Sequence, residues 1–406
     1  MAARAPAATS ARKRLAALPA AFLPPLARVL GLSTLGHGQA SPPAATIKIT
    51  LATLRRFLDD PLQASARFAL GMREDDDAGL ADVEDEPFDL DRLVLSSIMR
   101  KTMTEAILAA QGTPAWQDVD AAHARQALTA ELAGRSPAGV FHQASAAGEK
   151  AILRGWREAL AAVLGDGRAR CHTFRFVPNW EANAEMAADA PVVPCRAPSF
   201  AVTIPARAGE PERRVAVTIV GETGLWAQGA ADRALCFTTR KVVDADDLGK
   251  EDLGAFLEYA ALAAAGDEPA RPGFASALFH VAKGSAGQRA QHFGPLSAAD
   301  SREYLRRLCA ALVTGGRDSD GVPTAVHPYL LPHEAVLASR RNGTKVSEEI
   351  RKLSEADDRR DVGFSSTRGP VPAVTERYAP PSDAEAERMI EERFGLFFRL
   401  AAEKGT

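Results

Sequence analysis

Hydrophobic periodicity begins to read as folded structure near Ile47. Leu51, Leu54 and Leu58 recur at helical spacing, and Leu62, Ala66 and Leu70 mark the buried face of a second helix that Pro61 can open in its first turn. The two are joined by Asp59-Asp60-Pro61. Leu90, Val94 and Ile98 open a third helix that runs to about residue 110, and a fourth over 119–133 stops at Gly134, a residue suited to a C-cap. After Arg135-Ser136-Pro137-Ala138-Gly139 a long helical stretch over 142–164 gives way to short runs that read as strands, at 171–177, 200–204, 214–220 and 235–240. Helix returns at 252–265, strand at 275–282 and helix at 298–313. This order, α-β-β-β-β-α-β-α, predicts an α/β fold: a mixed sheet flanked by helices, preceded by an N-terminal helical subdomain. Beyond Gly315 the signals weaken. Residues 347–360 read as a charged surface helix or a disordered excursion, and 383–402 as a closing helix with an apolar stripe of Met389, Ile390, Phe394, Phe397 and Phe398.

The pattern divides the chain into four stretches: a flexible leader or linker remnant at 1–46, the helical subdomain at 47–134, the α/β core at 135–335, and a charged segment with the closing helix at 336–406. Residues 1–46 hold five basic side chains and no acid, with Ala and Pro dominating, which suits a linker. Arg12-Lys13-Arg14 followed by Leu15 to Leu30 loosely imitates a signal peptide, but Pro19, Pro24, Pro25 and Arg28 interrupt its apolar part. Ten acids and no base lie between Glu74 and Asp91, so that stretch repels itself and reads as an exposed loop.

Composition narrows the function. With 406 residues and 46% hydrophobic side chains the chain can bury a sizeable core, and no run approaches the roughly 20 apolar residues of a membrane span. A net charge of −3 argues against gripping nucleic acid over the whole surface, because phosphate neutralisation needs clustered Lys and Arg; a local basic channel stays open. Cys171, Cys195, Cys236 and Cys309 are scattered without a short repeat and read as reduced, buried thiols of a cytoplasmic protein. Cys171-His172 has neither Cys-x-x-Cys nor His-x-x-x-His company, so zinc is not expected. The absence of a Walker loop, of a Gly-x-Ser-x-Gly turn and of His-Glu-x-x-His leaves no motif for ATP, for a serine nucleophile or for a zinc protease. The expectation is a chain without cofactor.

Four ordered segments carry a resemblance. Ile49-Thr50-Leu51-Ala52-Thr53-Leu54-Arg55-Arg56-Phe57-Leu58-Asp59-Asp60-Pro61, then Glu86-Pro87-Phe88-Asp89-Leu90-Asp91-Arg92-Leu93 after the acidic loop, then Gly134-Arg135-Ser136-Pro137-Ala138-Gly139-Val140-Phe141, and finally His327-Pro328-Tyr329-Leu330-Leu331-Pro332 follow one another as in the RecC family. That family is the gamma chain of exodeoxyribonuclease V. The chain resembles its C-terminal part from about Ile47 to Glu334, without the large helicase-like region. The resemblance implies a core similar to PD-(D/E)xK nucleases, in a subunit that supports RecB-like and RecD-like partners, receives double-stranded DNA ends and channels the separated single strands.

A nuclease of this class needs two carboxylates at adjacent strand ends to hold Mg²⁺ and a Lys to help position water. Glu222 follows the strand at 214–220 and falls at the first acidic position, and Lys241 falls where the lysine belongs. Thr239, however, stands where the second acid should be. A neutral hydroxyl does not replace an anionic ligand for a hard dication, and Arg240 beside Lys241 repels the metal further. The site therefore reads as degenerate, with no catalytic residue and no metal. A shifted register through Asp244 is the alternative that keeps an active Mg²⁺ nuclease with Glu222 and Lys241; a truncated interaction module without DNA binding is the other. Candidates for phosphate contact are Arg213, Arg214, Arg240, Lys241 and Lys283 at proposed strand ends, against the reading that they are ordinary solvated charges. Trp226 and Trp180 can stack on unpaired bases or serve as core aromatics.

Overall fold

The computed structural model describes residues 46–59, 61–70, 92–136, 139–165, 169–178, 191–204, 212–229, 231–239, 248–266, 268–282, 285–314, 333–349, 352 and 383–401. The leader, the acidic loop, the 327–332 segment and Trp180 lie outside them. β1 (Ile47–Thr50) leads directly into α1 (Leu51–Asp59), followed by α2 (Pro61–Leu70), α3 (Arg92–Ala110), α4 (Trp116–Leu132) and α5 (Gly139–Leu164). Six strands follow: β2 (Arg170–Val177), β3 (Val192–Arg196), β4 (Ser199–Ile204), β5 (Arg213–Glu222), β6 (Leu225–Gln228) and β7 (Asp232–Phe237). α6 (Lys250–Ala265) then crosses over to β8 (Ala270–Arg271), β9 (Phe274–Ala282), β10 (Ser285–Phe293) and β11 (Leu296–Ser297). α7 (Ala298–Thr314) and α8 (His333–Asn342) come next. The closing helix is α9 (Asp383–Ile390), a π turn (Glu391–Gly395) and α10 (Leu396–Leu400).

The chain is an α/β protein with a mixed sheet flanked by helices. β2, β6 and β7 are antiparallel neighbours, β7 pairs parallel with β9 through the α6 crossover, and β10 returns antiparallel to β9. β5 pairs parallel with β1 and antiparallel with β4, and β3 pairs parallel with β2. One side of the sheet packs on α1, α6, α7 and the closing helix through Leu54, Val217, Trp226, Phe256, Leu305 and Phe397; the other packs on α3, α4 and α5 through Met103, Val119, Trp156, Phe237 and Phe279.

Local chemistry sets the ends of these elements. Thr50 Oγ1 accepts the Thr53 N–H at 3.0 Å, an N-cap that turns β1 into α1. α4 closes on Gly134, whose positive φ lets its N–H and that of Arg135 reach back to Glu131 O and Ala130 O, both at 2.9 Å. α6 is apolar on nearly every side, as expected of a helix wedged between the sheet and other helices. One charged anchor of α6 inside the core is Asp252, which accepts the Gly249 N–H at 2.8 Å and the Ser276 hydroxyl at 2.8 Å and is ion-paired with Arg289 of β10.

β1 is a strand of the sheet with α1 packed beneath it, and α3 and α4 share one apolar cluster with α5 and the sheet. Some strands depart from expectation. The strand expected at 235–240 is Asp232–Phe237, which leaves Thr239 beyond its end. β1, β3, β6 and β10 were not expected as strands.

Candidate functional site

β5 and β6 are two halves of one long strand broken by a bulge. Arg175↔Glu222 and His172↔Trp226 are both partners across the ladder, so three steps along β2 span four along 222–226. Thr223 accommodates the extra residue: its N–H donates to Phe174 O, and its Oγ1 accepts the Phe174 N–H, each at 2.9 Å. The bulge reverses which residues face which layer. Val215, Val217 and Ile219 share the α6 side with Trp226, whereas Leu225 and Ala227 point to the α5 side.

Glu222 sits immediately before this bulge, on the face opposite α6, and both of its carboxylate oxygens accept hydrogen bonds. Thr173 Oγ1 donates to Oε1 at 2.7 Å, and Arg175 donates to Oε2 from its terminal nitrogen at 2.9 Å and from Nε at 3.2 Å. The pair is partly solvated, with side chains 54% and 38% exposed for Arg175 and Glu222, so it contributes little to stability. Its consequence is electrostatic: the lone acid at the expected first metal position faces a guanidinium that donates twice to one of its oxygens.

Thr239 lies two residues past β7, half-buried, and the antiparallel β6–β7 hairpin places it at the same end of the sheet as Glu222. That end offers a hydroxyl and an ion-paired acid. Arg240, Lys241, Asp244 and Lys283 fall outside the described residues. Among the described residues no group of three or more His, Cys, Asp or Glu side chains is placed to hold a metal ion, and no helix is long and apolar enough to cross a membrane.

A second polar cluster lies under the bulge on the α6 side. Glu258 accepts the Trp226 Nε1–H at 2.9 Å and the Gly224 N–H, and Arg55 of α1 faces it, its guanidinium lying where a Cβ on Gly254 would be. Burial pushes the Glu258 carboxyl above its ordinary 4.5, against the pull of Gly224, Trp226 and Arg55 toward the charged form. A carboxyl raised on folding contributes stability that is complete below the ordinary value and is lost as pH rises through the folded value. Glu258→Gln is therefore expected to gain stability relative to the parent as pH increases from below 4.5 to 8, read from urea midpoints; a difference that shrinks over that range contradicts this assignment. Trp226 is fully buried between this carboxylate and Phe274, a core aromatic rather than a platform for bases.

The two described cations of the expected phosphate-binding edge part company. Arg213 and Arg214 are successive residues of β5 and project to opposite faces of the sheet, both exposed. The four cysteines are free thiols: burial raises Cys171 and Cys195 to about 11 and Cys309 to about 12, and shifts Cys236 upward as well, so none supplies a thiolate near neutral pH. Sequence reasoning missed Arg175 and Thr173, the residues that engage Glu222, since nothing in the sequence ties positions 47 and 49 residues apart. The bulge was the available signal: Gly221-Glu222-Thr223-Gly224 interrupts an apolar run with two glycines. No protein-family model matches the chain, and no curated protein matches it.

Proposed function

We propose that the chain is a non-catalytic, DNA-guiding scaffold subunit of a helicase-nuclease complex acting in double-strand break repair and recombination. It would correspond to the C-terminal, nuclease-like part of the gamma chain (RecC) of exodeoxyribonuclease V, beside RecB-like and RecD-like subunits in the cytoplasm. What supports this is the ordered set of family-like segments, together with a sheet in which an antiparallel triplet, β2–β6–β7, is followed by a helical crossover to parallel β9. The observation that carries the non-catalytic part is the state of Glu222. In a PD-(D/E)xK-like reading its carboxylate should be available to Mg²⁺, but it is engaged by Arg175 and Thr173 while Thr239 offers only a neutral hydroxyl. Freeing Glu222 for a metal means breaking this ion pair and leaving Arg175 as a cation beside the dication.

The test is assembly. The tagged full chain, co-expressed with RecB-like and RecD-like subunits, should retain both through a wash at physiological salt, and the assembly should bind blunt duplex ends. Capture of neither subunit overturns the scaffold reading.

A further inference from the structure

The helical layer formed by α3, α4 and α5 covers only part of its side of the sheet. Over β1, β4 and β5 the best-buried apolar residues, Ile49, Val202, Val217 and Ile219, point the other way, while Val220 beside Thr50 lies on the opposite face. Among the described residues no helix packs on the opposite face of these strands. Lys48, Ser199, Thr203 and Arg214 are exposed there, and Ala201 and Ala216 form a low floor between them.

The register turns these residues into two rows. Lys48 and Ser199 flank Thr218 on either side of β5, with Ser199 Oγ and Thr218 Oγ1 3.2 Å apart, and Thr203 flanks Arg214. Thr218 and Arg214 are four residues apart on one strand, so the rows are separated by about 13 Å. Neither Lys48 nor Arg214 is ion-paired among the described residues. Of the nearby acids, Glu222 is occupied by Arg175, and Glu212 sits outside β5 at its start. Each row therefore sets one cation, unpaired among the described residues, beside an exposed hydroxyl, Ser199 in the first (also in reach of Val217 O at 3.3 Å) and Thr203 in the second; these are side chains of the kind that contact phosphate oxygens. The strip is three strands, about 10 Å, wide at the Thr218 row and two strands wide at the Arg214 row, where β1 no longer pairs; this suits one nucleic-acid strand better than a duplex, and its lack of aromatic side chains removes base stacking as the means of grip.

We infer that this face of β1, β5 and β4 is a backbone-tracking surface for single-stranded DNA, with Lys48 and Arg214 as its two phosphate contacts. The assignment rests on the DNA-guiding reading above and specifies where the strand lies. Binding is independent of base sequence and sensitive to salt.

The experiment measures anisotropy of a fluorescein-labelled single-stranded oligonucleotide, and of its duplex, with the full chain over a range of salt concentrations. Lys48→Glu/Arg214→Glu is compared with Arg100→Glu/Lys101→Glu, an equal charge change at exposed positions of α3. The first double variant should lose at least about tenfold in single-strand affinity at low salt, and Lys48→Ala/Arg214→Ala should reduce the slope of log K against log salt by about 1.4, two phosphate contacts on a single strand. Circular dichroism should leave all three variants folded, since every altered side chain is solvent-exposed. Equal weakening by the α3 control, or preference of the parent chain for duplex, overturns this face as the single-strand site while leaving the DNA-guiding reading standing. Absence of any binding by the parent chain at low salt overturns both.

Discussion

Asp252→Ala is expected to lower the free energy of unfolding by about 3–5 kcal/mol, because it strands a buried cation. Asp252 is fully buried, and Arg289 opposite it is 6% exposed at its side chain. Asp252 also accepts the Gly249 N–H that starts α6 and the hydroxyl of Ser276 on β9, so one carboxylate joins the helix start to two strands. Its loss leaves three donors without an acceptor, one of them charged, and the charged one dominates the cost. The urea midpoint of the full chain reads this directly. A second substitution separates the cause from general core damage: Asp252→Ala/Arg289→Met removes both charges and should recover a substantial part of the loss. If the double variant is no more stable than the single one, the ion pair is not what holds α6 to β10.

Trp226→Ala should cost about 3–5 kcal/mol, the range for emptying a large aromatic from a core. Trp226 is fully buried, and its ring contacts Phe174 and Phe274. Trp226→Phe retains most of the apolar contact but removes the Nε1–H that Glu258 accepts at 2.9 Å, and should cost about 1–3 kcal/mol, the range for a buried acceptor left short of a donor. Near-ultraviolet circular dichroism and urea midpoints distinguish the two variants. Because the ring faces the core, single-stranded DNA should leave its fluorescence unchanged; a large quench on addition of oligonucleotide, lost in Trp226→Phe, contradicts its placement.

Elements with a long, single-period apolar pattern were legible in the sequence. α1, α3, α5, α6, α7 and the strands β2, β5 and β9 lie within a few residues of where the spacing puts them. The strands that escaped did so for separate physical reasons. β1 is four residues running straight into a helix whose stripe begins at Leu51, so the helical period absorbed it. Pro194 stands inside β3, where the usual expectation is a break in pairing. β6 follows the bulge, which shifts the alternation by one and makes Glu222-Thr223-Gly224-Leu225 read as a strand end. β10, Ser285–Phe293, buries Arg289 and Gln291 alongside Phe293, so its inward positions do not look apolar. Arg289 is tolerated there only because Asp252 arrives from α6, a pairing across 37 residues that no local pattern announces.

The candidate site was legible to the same degree. Glu222 and Thr239 were found because each follows an apolar run, and the hairpin between them puts both at one end of the sheet. The partners that determine what Glu222 can do were not found. Arg175 looks like an ordinary outward residue of β2, and its role depends on a register that the bulge sets. The same strand alternation separates Arg213 from Arg214, which appear as one basic pair in the sequence.

The proposed non-catalytic role requires that the end of the sheet carrying Glu222 and Thr239 does not hold magnesium. Purified full chain incubated with linear duplex and linear single-stranded DNA in the presence of Mg²⁺, beside its Glu222→Ala variant, tests it most directly. The account predicts intact DNA in every lane and no difference between parent and variant. Magnesium-dependent scission by the parent chain that disappears in Glu222→Ala would contradict it.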